Sequence, residues 1–281
     1  MLKSMLVKKM IINVLASGSK GNCTYIETKN KHILIDLGIS NKRISDGLKN
    51  IGKDIGDIDL ICVTHEHIDH IAGLGVTLKK SNALVILTEG TYKGIMNSKN
   101  KDCAAALFVH QQKGLVKILK KNGLMYQTLN FEDLNITAIA TFHDAFESCG
   151  YVFEELGKKI VYITDTGYVH HDLEEIISDA DAYIMETNHD PQILMASSRP
   201  YPLKMRILSD HGHMSNEDAF ILLAHILTEK TKYVFCAHIS EECNLTEIIN
   251  YTKDLVYKKL EFESNAQYII TSQIQSKVYE I

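Results

Sequence analysis

The segment Thr64–Gly73 reads THEHIDHIAG and sets four side chains that can ligate a metal within six positions: His65, His67, Asp69 and His70. Imidazole nitrogens with a carboxylate oxygen suit zinc and, as the share of oxygen ligands rises, manganese or iron. The segment follows a short apolar run, residues 59–64 (DLICVT), so a strand end delivers these side chains as a loop enters a helix. Side chains two apart on an irregular loop can converge on one ion. Asp69 and His70 then turn towards a second ion, about 3.5–4 Å away in two-metal sites. The chain has 13 histidines, so the plain alternative is a solvated, His-rich loop. Three His and one Asp in this frame, directly after an apolar run, argue against it. The segment is not a zincin helix, because no H-E-x-x-H occurs.

A metal site needs ligands from elsewhere, and three further candidates each end a β-like run. His143 follows LNITAIATF, Asp165 follows KKIVYIT, and His238 follows KYVFCA. One histidine at a strand end is more often structural. Three strand-end ligands beside a four-ligand cluster point to a single centre assembled from distant segments.

The elements that must position these residues are mostly short. Residues 10–16, 23–28 and 32–36 read as strands around the turns SGSKGN and KNK. Further strand-like runs are 59–64, 83–88, 134–141, 149–154, 159–164, 181–186 and 232–238. Residues 111–121 read as an amphipathic helix with its lysines on one side. Ser215 followed three residues later by Asp218 is a capping-box pattern ahead of an apolar stripe, so a helix is expected over 216–229. A helix-like TEIINYTKDLVYKKL and a final strand pair complete the chain. Strands first, then strands mixed with helices, suit two sheets packed face to face with helices outside.

Composition sets bounds. The 281 residues are 45% hydrophobic and 23% charged, ordinary for a chain with a real core. The net charge of -5 supplies no global basic field, so any nucleic acid would be held by a local groove or by metal ions. Six cysteines at irregular spacings form no C-x-x-C pair, and Cys62 and Cys236 sit inside apolar runs; reduced thiols and a cytoplasmic compartment are expected. The apolar run Met10–Ala16 is too short for a secretory core, and no stretch near twenty apolar residues offers a membrane span. The three prolines all fall between Pro191 and Pro202, with no low-complexity linker or repeat, so residues 1–281 are expected to form one domain.

The motif H-x-H-x-D-H, followed in order by a single His, a single Asp and a single His, resembles the metallo-β-lactamase superfamily. The SGSKGN turn and the strand HILIDLG with Asp36 fit as well. The resemblance implies an α/β (α+β) αββα sandwich: two packed mixed sheets, helices on the outer faces, metals at one edge. It implies two divalent ions, zinc or manganese with iron left open. His65, His67 and His143 would hold one; Asp69, His70 and His238 would hold the other, with Asp165 between them. Asp36 would be a buried carboxylate that steadies the His loop. The strings VTHEHIDHIAGL, TFHDAFESCGYVFE, METNHD, RILSDHGHMSNEDA and AHISEECN are similar to the YycJ-like (WalJ-like) group of bacterial phosphodiesterases and exonucleases. That similarity implies 5′-to-3′ exonuclease action on DNA. About seventy residues separate Asp165 from His238, too few for the large domain that β-CASP relatives insert there.

Phosphodiester hydrolysis needs an activated water, charge neutralisation and a proton for the leaving oxygen. The first two belong to divalent ions, with Asp69 orienting the water. The third points to HGHMS, where His213 would contact the scissile phosphate or protonate the leaving oxygen and His211 would support it. Ser215 is read first as a helix cap, although a helix N-terminus also favours phosphate. Ser17, Ser19 and Asn22 could touch phosphate through hydroxyls or backbone amides, or form a plain tight turn. Glu186, Asn188 and His189 could orient other residues. His110, His170, His171 and His225 read as surface or packing residues. Lysines in KGLVKILKK, with Lys204 and Arg206, would guide a strand or merely solvate a helix face, and no aromatic-rich basic stripe offers a stacking platform. Three competing functions use the same metals: a cyclic small-molecule phosphodiesterase, a carboxylic ester or lactone hydrolase that has no need of HGHMS, and a non-enzymatic metal-binding regulatory module. The complete ligand set argues against the last. No residue pattern names a protein partner.

Overall fold

A side-chain period of two runs through most strands, and it sorts successive residues onto different cores. The structure, a computed structural model, describes residues 9–281; residues 1–8, part of the stretch read for a leader, lie outside the described residues. In the first sheet β1 (Ile11–Ala16), β2 (Cys23–Glu27) and β3 (His32–Ile35) run antiparallel. Then β4 (Leu60–Cys62), β5 (Leu84–Thr88) and β6 (Val116–Leu119) continue from β3 in parallel. The last strand, Tyr279–Glu280, completes seven by pairing antiparallel with β1.

The second sheet has nine strands among the described residues. It begins with the short β7 (Lys121–Asn122), β8 (Met125–Tyr126) and β9 (Leu129–Phe131). Next, β10 (Leu134–Ala140), β11 (Cys149–Glu155) and β12 (Lys158–Ile163) form an antiparallel meander. Finally β13 (Ala182–Glu186), β14 (Tyr233–Ala237) and β15 (Gln267–Ile270) extend it in parallel.

The alternation explains the layers. Ile12, Val14, Ile33, Ile35 and Ile86 of the first sheet pack against Ile136, Tyr151, Phe153, Ile160, Tyr162 and Phe235 of the second. Their neighbours Leu15, Leu34, Ile61 and Val85 turn outwards, onto helices Asn41–Asn50, Leu74–Leu78 and Lys101–Gln112. On the far side, Val161, Ile163, Tyr183 and Val234 meet helices Asn216–Ile226 and Thr246–Lys259. The result is the expected αββα sandwich.

Three local expectations differ from the structure. Residues 111–121 are not a helix: the helix Lys101–Gln112 ends there, and Gly114 takes a positive φ of 73° that a helix cannot continue through. Val116–Leu119 then pairs in parallel with β5, so the sheet edge wins over the helical periodicity of the lysines. The two final strands are not a pair either. β15 lies beside β14 in the second sheet, whereas Tyr279–Glu280 crosses to the first. The helix expected over 216–229 ends at Ile226, where the chain turns extended at Leu227. All six cysteines are buried and unpaired. Among the described residues no helix is long and apolar enough to cross a membrane.

Two stability predictions follow from side chains in the helices. The Ser215 hydroxyl accepts from the Asp218 N–H at 3.2 Å and donates to the Asp218 carboxylate at 2.6 Å, which caps Asn216–Ile226. Ser215→Ala should lower the unfolding free energy by about 1 kcal/mol in urea denaturation. His110 is buried with its Nε2 unpartnered, and burial together with Lys113 pushes its basicity down. Because the folded form gives up this proton more readily, the unfolded form takes it up first as pH falls. Stability from this group is therefore present above the ordinary histidine range and lost below about 6.5. In thermal melts, His110→Leu should lose less Tm than the parent protein between pH 7.5 and 5.5.

Candidate metal centre

The centre lies where strands of both sheets end. Asp36 follows β3, the His loop follows β4, and His143, Asp165 and His238 follow β10, β12 and β14. Because β12, β13 and β14 are parallel and β10 shares their direction, these carboxyl ends meet on one rim.

Two donor groups adjoin. The ligating atoms of His65, His67 and His143 lie within 4.8 Å of one another, as do those of Asp69, His70 and His238. In the first, His67 Nδ1 lies 3.0 Å from His65 Nε2 and 3.3 Å from His143 Nε2. In the second, Asp69 Oδ2 lies 3.7 Å from His70 Nε2 and 3.6 Å from His238 Nε2. Asp165 stands between them: Oδ2 is 3.3 Å from His70 Nε2, while Oδ1 is 3.3 Å from His238 Nε2 and 3.9 Å from His143 Nε2.

The electrostatics suit a cation. Burial and the neighbouring imidazoles push His65 well below the ordinary histidine value, and burial also lowers His143, so both present neutral nitrogen lone pairs. Burial opposes charge on His70 as well, but Asp165, Asp36 and Asp69 outweigh it and push that ring up to about 9. Cation binding at His70 must therefore release a proton. Asp165 Oδ2 and His238 Nε2 are buried with no hydrogen-bond partner. Buried polar atoms are normally satisfied, so a shared positive ligand is what this donor set fits.

Beneath the donors lies a fixed supporting layer. Asp36 accepts from the Thr64 N–H at 2.8 Å and the Thr64 hydroxyl at 2.9 Å, and its Oδ2 lies 2.7 Å from His70 Nδ1. That contact fixes the ring so that Nε2 faces the centre. Gly38 lets its loop pass so close that a Cβ would come within 1.6 Å of the Asp69 carbonyl. Asp36, Asp165 and His238 all adopt left-handed backbone, with φ of 58°, 56° and 51°.

Residues 31–239 match the family described as Beta-lactamase superfamily domain. That span contains every donor named above. The chain belongs to the metallo-β-lactamase superfamily. It is 38% identical over 240 residues to exodeoxyribonuclease WalJ of Streptococcus pneumoniae, covering 85% of each chain. It is 35% identical over 250 residues to exodeoxyribonuclease YycJ of Bacillus anthracis, covering 89% of this chain and 90% of that one. The solved metallo-β-lactamase fold protein YhfI from Bacillus subtilis shares the fold at a TM-score of 0.68 and 15% identity, over 97% of this chain and all of its own.

Other residues of this metallo-β-lactamase site fall in unexpected places. The Ser17 hydroxyl is taken by the His238 N–H at 2.8 Å, and the Asn22 side chain accepts from the Gly18 N–H at 2.8 Å while its Nδ2 lies 3.1 Å from His70 Nε2. Through these contacts both brace donors of the centre. Of Ser17, Ser19 and Asn22 only Ser19 is exposed. Ser215 is likewise engaged as the helix cap. His211 is exposed, with its ring 6.3 Å from Phe142. Lys204 is buried and donates to the Met195 and Ser197 carbonyls at 2.7 and 2.6 Å, so it guides no strand. Arg206 instead pairs with Asp144 at 2.5 Å, beside His143.

His213 and Glu186 form the remaining unit. Glu186 Oε1 accepts from His213 Nδ1 at 2.8 Å and from His238 Nδ1 at 3.1 Å, while Oε2 accepts from the Thr166 N–H at 2.9 Å. Burial opposes its charge, yet His213 and His238 hold the Glu186 carboxyl well below the usual range. The His213 ring centre lies 4.9 Å from that of His143 and 5.2 Å from that of His238. Asn188 holds the same His238 through its carbonyl at 2.6 Å. His189 is buried with neither ring nitrogen partnered, and burial pushes it down to about 4, so it is a neutral wall residue. Nothing in the sequence marks Thr64 as the residue that joins Asp36 to the His loop. A carboxylate ending the apolar run AYIME was the available signal for Glu186.

Proposed function

We propose that this chain is a two-metal phosphodiesterase that removes nucleotides from the 5′ end of DNA. His65, His67 and His143 would hold one divalent ion; Asp69, His70 and His238 would hold the other, and Asp165 lies between the two groups. Zinc and manganese suit this donor set. Ions held there would supply Lewis-acid charge for the phosphate and make water acidic enough to attack at neutral pH.

The chain's own groups do the rest. Asp69 accepts a hydrogen bond from the attacking water and sets its line of approach. Glu186 accepts the His213 Nδ1–H, so the ring is fixed with Nε2 turned to the leaving oxygen, to which it gives a proton. This His213–Glu186 pair beside both donor groups carries the reading. A strongly basic alkoxide leaving group needs such a proton donor. Substrate class is supported by the two relatives named exodeoxyribonuclease. Within this proposal the site acts in the cytoplasm, and the described residues 9–281 work as one metallo-β-lactamase domain without a large insertion between Asp165 and His238.

The test uses purified protein with manganese or zinc and 5′-phosphorylated, end-labelled single-stranded DNA and RNA, beside a cyclic phosphodiester and a lactone. Stepwise nucleotide release from the DNA 5′ end supports the proposal. Turnover of the cyclic diester alone keeps the chemistry but removes the nuclease. Turnover of the lactone alone sinks both.

A further inference from the structure

Aromatic residues dispersed in the sequence meet at the rim of the metal centre. Phe142 immediately precedes His143, and Tyr168 follows Asp165 by three. Their rings stack, with centres 4.4 Å apart and planes 19° from parallel. His211 tilts towards Phe142 from the loop that also supplies His213.

The backbone fixes this assembly. The Gly167 N–H donates to the Phe142 carbonyl at 3.0 Å, and the Phe142 N–H donates to the Thr166 hydroxyl at 3.0 Å. Thr166 in turn donates to the Tyr168 carbonyl at 2.6 Å and accepts no freedom from solvent, being fully buried. A Cβ at Gly167 would come within 2.4 Å of the Asp210 backbone, so the Asp165 loop and the His211 loop press together here. The pair is thus held by the same three loops that present His143, Asp165 and His213. Phe142 covers one face of Tyr168, and the tyrosine is still 36% exposed. A large aromatic ring kept open to water on a rigid backing, next to a phosphate-cleaving centre, has the form of a base-stacking subsite.

We propose that Tyr168, backed by Phe142, stacks a nucleobase of the strand whose phosphate lies at the metal centre. This rests on the nucleic-acid reading of the site. Every base has a π-face, so the subsite takes single-stranded nucleic acid without regard to sequence. Hydrogen-bond partners for a particular base edge are not required.

The experiment compares Tyr168→Ala and Tyr168→Phe in the metal-loaded enzyme, on single-stranded DNA and on an oligomer of equal length with abasic residues at its first three positions. A second readout is the fluorescence of 2-aminopurine near the 5′ end, which stacking quenches, recorded in a His213→Ala background where cleavage is slow. Tyr168→Ala should raise KM for DNA about five- to a hundredfold, the range for loss of one base–aromatic contact. It should leave KM for the abasic oligomer unchanged and abolish the quenching, while Tyr168→Phe behaves as the parent in all three. Unchanged KM and quenching in Tyr168→Ala would overturn the proposal. So would a Tyr168→Phe variant as impaired as Tyr168→Ala, which would point to the hydroxyl. If the parent protein cuts no DNA, the nuclease reading fails; the quenching still reports separately whether a base stacks here.

Discussion

His67→Ala should reduce kcat on DNA by more than about a hundredfold and lower the bound metal content. Replacing outer partners of metal ligands already costs about 10–100-fold, and loss of a direct donor exceeds that. His67 suits the test because it is only half-buried, so alanine opens no large core cavity. Its Nδ1 lies within 3.3 Å of both His65 and His143 donors, and its removal leaves only those two histidines and the shared Asp165 on that side. Metal content by mass spectrometry is read beside the rate, and circular dichroism separates ligand loss from misfolding. An active His67→Ala with full metal would remove His67 from the centre.

His213→Ala should cost about 10²–10⁴ in kcat, the usual contribution of a positioned proton donor. Metal content should stay at the parent value, because His213 is assigned to the leaving oxygen. The alternative is visible in the geometry: His213 also shares a donor group with Asp165, Glu186 and His238 whose atoms lie within 4.8 Å of one another. A fall in metal content along with rate would make it a ligand. Glu186→Gln should show the same kcat loss in weaker form, since the amide can still accept from Nδ1 but no longer carries charge. A phosphodiester with a good phenolate leaving group should be hydrolysed by His213→Ala far better than DNA, because such a leaving group needs little protonation.

Much of this was legible because ligand chemistry concentrates in the sequence. H-x-H-x-D-H is short, and each remaining donor ends a β-rich run, so strand ends alone predict one rim. The αββα layering follows from the alternation of Ile12, Val14 and Leu15, and of Ile33, Leu34 and Ile35. What was missed depends on pairing between distant segments. The lysine-rich 111–121 keeps a helical period, yet β5 offers an unpaired parallel edge that local periodicity cannot register. Ser17 stands in a Gly-rich turn that suits either a phosphate contact or a plain tight turn, and no local pattern shows that its hydroxyl meets a backbone N–H 221 positions away. The Phe142–Tyr168 stack escaped for the same reason, since its rings come from separate loops.

The left-handed backbone at Asp36, Asp165 and His238 has a consequence for protein engineering. Each such residue costs about 1–2 kcal/mol that glycine would not. A stabilisation campaign guided by backbone statistics would target these positions along with Glu132, Leu156, Asp179 and Glu261, and Asp165→Gly or His238→Gly would relieve the backbone cost there. Each would delete a donor. Thermal screening of this chain without a parallel metal assay would therefore enrich durable but inert variants.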